Sequence, residues 1–260
     1  MDDGGEREVL GDGARWGERF VAPVGTPRGP GWIAATDLFG PRLPAVLAEV
    51  GAARGTTSPA VAGALLADAY AQRVVASVVG ALVVDGTVLD ASPPRVRVAL
   101  DGGSIRRLAF AEAPVAADPG GGLRRMAEGL LEDLDEVLCA VHEHTRVGMR
   151  VLDGAVAHAV AITFLHLSWP DSDRARHVDT AREFLAATPR WEGLVTVRAE
   201  IEAGRRWMYT DRNTCCLAFR TAVNQAREQP YCATCPVLPR AVTREMFGQA
   251  TASYAQRHPE

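Results

Sequence analysis

Arg212-Asn213-Thr214-Cys215-Cys216-Leu217 is followed, with fifteen residues between Cys216 and the next cysteine, by Cys232-Ala233-Thr234-Cys235-Pro236. Four of the five cysteines therefore fall within 21 residues. In a CxxC turn two sulfurs come close enough to chelate one metal, and a second pair completes a four-thiolate shell. Both [2Fe–2S] clusters and structural zinc use such a shell. Vicinal cysteines on an extended strand point to opposite faces, so Cys215 and Cys216 serve one centre only where the backbone turns. Zinc sites normally space their ligands more loosely, so the adjacent pair favours [2Fe–2S]. A thiol–disulfide couple at Cys232/Cys235 is the weaker alternative, because CxxC lacks here the βαβ context of that chemistry.

Working outward, the 260 residues carry 47% apolar side chains, enough for a sizeable core. The formal charge of −4 gives no global reason to expect nucleic acid as a partner. All 28 basic residues are Arg, whose planar forks grip carboxylates and phosphates bidentately where Lys cannot. The N-terminus is acidic where a secretory leader would be basic. The best apolar run, Val74 to Val84, falls short of the ~20 residues that span a bilayer. A cytoplasmic protein with at most transient membrane association is expected. A reducing compartment disfavours structural disulfides, so clustered cysteines there point to metal or redox chemistry.

Residues 1–30 are rich in Gly, Pro and charge, and read as a flexible arm. Pro41 to Ala53 has a one-sided apolar pattern and predicts a short helix. Ser58-Pro59 offers a capping Ser and a first-turn Pro, opening a helix to about Val84. Arg95 to Leu100, Asp101-Gly102-Gly103, and Ile105 to Phe110 predict a β-hairpin. Ala113 to Gly122 reads as a loop. Helices follow over Leu123–Arg146, Met149–Trp169 and Arg174–Ala187. Leu194–Ile201 and Trp207–Thr210 pair across an Ala203-Gly204 turn, and a last helix covers Arg240–Gln256. The fold class is α+β. A mainly helical substrate region with β-hairpins occupies 31–190, and a small C-terminal cluster-binding lobe occupies 191–260.

Trp191 ahead of an alternating strand, Gly204-Arg205-Arg206, the Arg212–Leu217 run, Arg220 and Tyr231-Cys232-Ala233-Thr234-Cys235-Pro236 together resemble the C-terminal region of FhuF-type ferric siderophore reductases. Ala69-Tyr70-Ala71-Gln72-Arg73-Val74 is weakly similar to the family's helical N-terminal region. The resemblance implies a [2Fe–2S] cluster on Cys215, Cys216, Cys232 and Cys235 and one-electron reduction of a ferric siderophore to release Fe(II). The gap between the second and third cysteines is longer than in the family, making Thr221 to Pro230 an enlarged, polar, flexible-looking loop. Arg205, Arg206, Arg212 and Arg220 are candidates to stabilise the reduced cluster and attract an anionic complex, or to form an ordinary solvated face. No strand-associated GxGxxG and no P-loop is present, and Gly120-Gly121-Gly122 reads as a loop. An external donor such as a ferredoxin or flavin reductase is therefore expected. Two rival functions stand beside this one: a zinc or iron–sulfur interaction module, and a redox partner in a biosynthetic pathway.

Cys139 shares a helical face with His142 and Glu143, but reads more simply as a core cysteine. His158 and His166, eight residues apart on one apolar helix, read first as satisfied core histidines, with the lining of a substrate cleft as the alternative. Trp169, Trp207 and Tyr209 read as core rather than as stacking groups.

Overall fold

The computed structural model describes residues 7–27, 31–118, 122–202 and 204–258. The chain is α+β. Its helices are α1 (Ala35–Leu38), α2 (Leu43–Arg54), α3 (Pro59–Gly80), α4 (Gly122–Thr145), α5 (Met149–Ser168), α6 (Arg174–Ala186), α7 (Ala222–Gln225) and α8 (Arg240–Arg257). The strands are β1 (Trp32–Ala34), β2 (Thr87–Val88), β3 (Val96–Asp101), β4 (Ser104–Phe110), β5 (Val115–Ala116), β6 (Val195–Glu202) and β7 (Arg205–Arg212).

Helix α3 is the central element, packed against α2, α4, α5 and β4. Ser58 caps it, its hydroxyl accepting from the Val61 N–H at 3.4 Å, and Pro59 occupies the first turn. The apolar stretch up to Val79 is helical and continues as a π-turn over Ala81–Asp85. Two segments, Pro59–Asp85 and α5, prove long and apolar enough to cross a bilayer, which the run Val74–Val84 alone did not suggest. Their most apolar windows are 61% and 83% buried, as befits helices that are apolar all round and enclosed by protein. Helix α4 instead presents one stripe, burying Ala127, Leu130, Leu134, Val137, Leu138, Val141 and Thr145.

β1, β3 and β4 form an antiparallel sheet in the order β1-β3-β4. The β3–β4 register runs from Val96↔Phe110 to Asp101↔Ser104. Its two-residue turn, Gly102 (φ 53°) and Gly103 (φ 70°), has the positive φ at both positions that a primed hairpin turn requires. Within the Ala113–Gly122 segment, β5 pairs with β2. Residues 120 and 121 of the glycine run and Ala203 of the β6–β7 turn lie outside the described residues.

Two expectations need correction. The N-terminal segment is packed, not loose, over residues 7–27; residues 1–6 and 28–30 lie outside the described residues. Val9 N–H donates to Ala22 O at 2.8 Å and Gly25 N–H to Phe110 O at 2.8 Å, fastening the segment to itself and to β4. Leu10 and Phe20 press onto α3 at Gly80, where a Cβ would lie 2.8 Å from Leu10 Cδ1. Burying these two side chains contributes ~2 kcal/mol each, and no helical or strand period announces them because the segment folds as short 3₁₀ turns.

The second correction concerns residues 191–260, which do not build a core of their own. Trp191, Leu194, Trp207, Met208 and Tyr209 join the same apolar core as α3 and α5. Strand β7 is covered by α5 and α6 and also contacts α8. Along it, alternation sends Trp207 and Tyr209 to Tyr254 and Phe247 of α8, ring centroids 6.0 and 4.8 Å apart, while Arg212 reaches α3. Trp169, packed edge-on to Trp207 and Tyr254, completes this aromatic cluster.

Candidate metal centre and the adjoining cavity

Each residue of the run 212–214 is anchored to a different part of the fold. Arg212, 2% exposed, donates from Nη1 to Asp68 Oδ1 of α3 at 2.9 Å and from Nε to Thr214 O at 3.2 Å. Asp68 is held in turn by Gln72 Nε2 at 2.6 Å, one turn along α3. Asn213 donates from Nδ2 to Gly193 O and accepts from Arg240 Nη2 of α8 at 2.8 Å. Thr214 packs on α5 at Gly154, where a Cβ would fall 1.9 Å from Thr214 Oγ1. The hairpin is fixed to α8 by Asp211, buried, which accepts from Tyr209 Oη at 2.7 Å and pairs with Arg198 and Arg240.

The turn that vicinal cysteines demand is present. β7 ends at Arg212, and Leu217 adopts φ 64°, a left-handed conformation costing a non-glycine residue ~1 kcal/mol. The Leu217 N–H donates to Cys215 Sγ at 3.3 Å. The CxxC turn closes through Cys235 N–H to Cys232 O at 3.0 Å. It is tied to the end of β7 by Arg212 N–H to Thr234 O at 3.2 Å, and to α5 by His158 Nε2 against Thr234 Oγ1 at 3.0 Å.

The four thiols perturb one another as one group: Cys216 with Cys232, and Cys215 with both Cys216 and Cys235. The hydrogen bond between Cys216 and Cys232 pushes the first thiol up and the second down. Burial raises Cys215 and Cys235, against backbone N–H donation from Leu217 to the first and from Val237 and Leu238 to the second. Such N–H donors stabilise thiolates. Arg212 Nη2 is buried with no partner, and the guanidinium interacts electrostatically with Cys216 and Cys232. A charged donor left unsatisfied is costly, and an anionic centre on these sulfurs would answer it. A set of four thiols suits a binuclear iron–sulfur centre, which spreads four cysteines over two metals, and also zinc, which draws four donors round one ion.

Beside the cysteines lies an open cavity of about 700 Å³, walled by the N-terminal segment, α3, β4 and α5. Cys216 and Cys232 line it, and so do His166 and the buried His158. Burial holds His158 well below the usual histidine range and His166 at about 4, with Arg19 adding to both and Arg212 to the first.

Of the four arginines singled out in sequence, only Arg212 belongs here. β7 rises ~3.3 Å per residue, which carries Arg205 and Arg206 to the far end of the hairpin. Arg205 lines a separate hollow with Trp207 and Gly248. Arg220 is exposed, its guanidinium 5.7 Å from the Phe219 ring, and does not line the cavity. The cavity's charge comes instead from Arg19, Arg54, Arg73, Arg106 and Arg227. Nothing in their sequence neighbourhoods distinguishes them, because five separate segments deliver them. The enlarged loop is also more ordered than its composition suggests. Thr221 caps α7, Ala222 N–H donates to Gly55 O at 3.2 Å, and the Phe219 and Tyr231 rings close its base 5.6 Å apart. Cys139 is exposed on α4, not in the core, and His142 Nδ1 is engaged with Val147 O at 2.7 Å.

No protein-family model matches the sequence, and no curated protein matches it significantly.

Proposed function

We propose that Cys215, Cys216, Cys232 and Cys235 hold a [2Fe–2S] cluster and that the protein is a ferric siderophore reductase of the FhuF kind, acting in the cytoplasm. The observation that carries this reading is the shared wall: Cys216 and Cys232 line the same cavity as a ring of guanidiniums. When bound, the cluster supplies one electron at a time. The substrate iron then changes from Fe(III) to Fe(II), a softer ion of lower charge that hard anionic oxygens hold less tightly. The roles of the chain's own residues follow from their placement. Arg212 neutralises charge at the sulfurs from the buried side, through a guanidinium fixed by Asp68. The N–H groups of Leu217, Val237 and Leu238 stabilise thiolate. His158 orients the CxxC turn through Thr234. The cavity brings a chelate against Cys216 and Cys232, so electron transfer needs no covalent contact. The electron is replenished by an external donor such as a ferredoxin or flavin reductase.

The test is direct. Anaerobically purified protein, reconstituted with iron and sulfide, is expected to bind two irons and two sulfides per chain and to be red-brown. Reduced chemically and mixed by stopped flow with a panel of ferric siderophores, it should be reoxidised while a ferrous chelator traps the iron. One zinc per chain and no colour would remove the cluster. Rapid reoxidation by ferricyanide but by no siderophore would reassign the protein as a redox partner of another enzyme.

A further inference from the structure

The cavity has a charge imbalance that its own fold does not consume. Facing its six arginines are the carboxylates of Glu18 and Asp68, and Asp68 is committed to Arg212 and Gln72. Arg106 is paired with Asp101 at 3.1 Å, and Arg73 Nε donates to Ile105 O at 2.9 Å. The guanidiniums of Arg19, Arg54 and Arg227 make no hydrogen bond or ion pair among the described residues, Arg19 feeling Asp68 only electrostatically. They come from the N-terminal segment, the end of α2 and the loop after α7, so three unconnected parts of the chain present unpartnered guanidiniums to one space.

Crowding like charges opposes folding. Arg19 and Arg73 are both lowered by desolvation, and Arg73 further by Arg19 and Arg106. A fold that draws cations together around a cavity of ligand size, inside the 300–1,000 Å³ range of ligand pockets, gains stability when an anion enters. Arg forks also suit bidentate oxygen pairs such as carboxylates and catecholates.

Building on the reductase reading, we infer that the cavity between the N-terminal segment, α3 and the cysteine loops selects ferric chelates of net negative charge, gripped by Arg19, Arg54 and Arg227, over neutral ones. Selection is by charge at the chelate's periphery, separate from the reduction potential of its iron.

Binding is measured with gallium(III) complexes, which match Fe(III) in size and charge but take no electron from the protein, so the outcome is independent of turnover. Iron and sulfide analysis of the same samples reports on the cluster separately. By calorimetry on the cluster-loaded protein, a gallium(III) tricatecholate is expected to bind, weakening steeply between low salt and ~0.5 M salt. A neutral gallium(III) trihydroxamate should bind at least about tenfold more weakly. Arg54→Gln and Arg227→Gln should each cost about tenfold in affinity for the anionic complex with thermal unfolding no lower than the parent's, since neither guanidinium holds the fold. Equal, salt-insensitive binding of both complexes would overturn the inference. So would ADP binding as tightly as the tricatecholate, which would make the cavity a general polyanion site.

Discussion

Asp68 and Arg212, 144 positions apart in sequence, form an ion pair 2.9 Å long, Arg212 buried and Asp68 partly so, that joins the middle of α3 to the last residue of β7. Two residues beyond Arg212 the chain is pressed onto α5, and three beyond it the cysteines begin. The pair therefore sets where the cysteine loop leaves the hairpin, and it carries positive charge to the sulfurs without exposing it to solvent.

Breaking a buried pair on one side leaves an uncompensated charge, which costs about 3–5 kcal/mol. Asp68→Ala should lower the urea midpoint by that amount, and Arg212→Met alone should also destabilise. The double variant Asp68→Leu/Arg212→Met should recover much of the loss, because two apolar groups replace a pair whose desolvation is expensive. Additive single losses in this cycle would show that the two side chains do not act as a pair.

How much of this was legible in the sequence differs by element. The long helices announced themselves through capping Ser58, through Pro59 and through the apolar stripe of α4, all local signals. The cysteines were equally plain, since only a metal or redox role clusters thiols so tightly. The electropositive cavity was not legible. Arg19, Arg54, Arg73, Arg106 and Arg227 converge only after the N-terminal segment packs on α3 at Gly80, a contact that no periodicity encodes. Nearness in sequence misled for Arg205 and Arg206, because an extended strand moves neighbours apart faster than any other element. Gly154 gave no signal either; its meaning lies in Thr214, sixty residues on.

Cys139 provides an internal control for the ligand set. It is exposed on α4 and is not among the groups that perturb the four clustered thiols. Cys139→Ala should leave the visible spectrum and iron content unchanged. Cys232→Ser, which removes one member of the cavity-facing pair, should abolish or strongly alter both. Loss of colour in Cys139→Ala with the helical circular dichroism intact would sink the assignment of the four ligands.

Gly154 controls the seating of the cysteine loop. A Cβ there would meet Thr214 Oγ1 at 1.9 Å and Thr214 Cβ at 2.6 Å, distances that no side-chain rotation relieves. Gly154→Ala should keep its helical content, since Ala suits a helix better than Gly, yet lose most of its iron on reconstitution. Returning the space with Thr214→Gly in the same chain should restore loading. Full iron content in Gly154→Ala alone would show that the loop adapts freely and that α5 does not position it.

The last expectation concerns acid. Burial and the nearby Arg19 hold His166 at about 4 in the folded chain, against ~6.5 when unfolded. As pH falls from ~6.5 towards 4, the unfolded chain therefore takes up a proton that the folded chain refuses, and stability drops by up to ~1.4 kcal/mol per pH unit; below 4 both states are protonated and the slope ends. His158, also lowered, acts in the same direction. Asp133, raised to about 6 chiefly by burial, acts oppositely, since the fold favours its neutral form. Asp171 sits at about 2, held there by hydrogen bonds from His177 and the Asp173 N–H, and contributes only below ~4. Because these groups overlap, the informative quantity is the difference between parent and His166→Gln. Urea midpoints at pH 7 and pH 5 should show a smaller acid loss in the variant, with the His158 share remaining. An identical pH dependence in the two proteins would mean that His166 is protonated freely in the fold, and that the cavity admits positive charge more readily than its arginines imply.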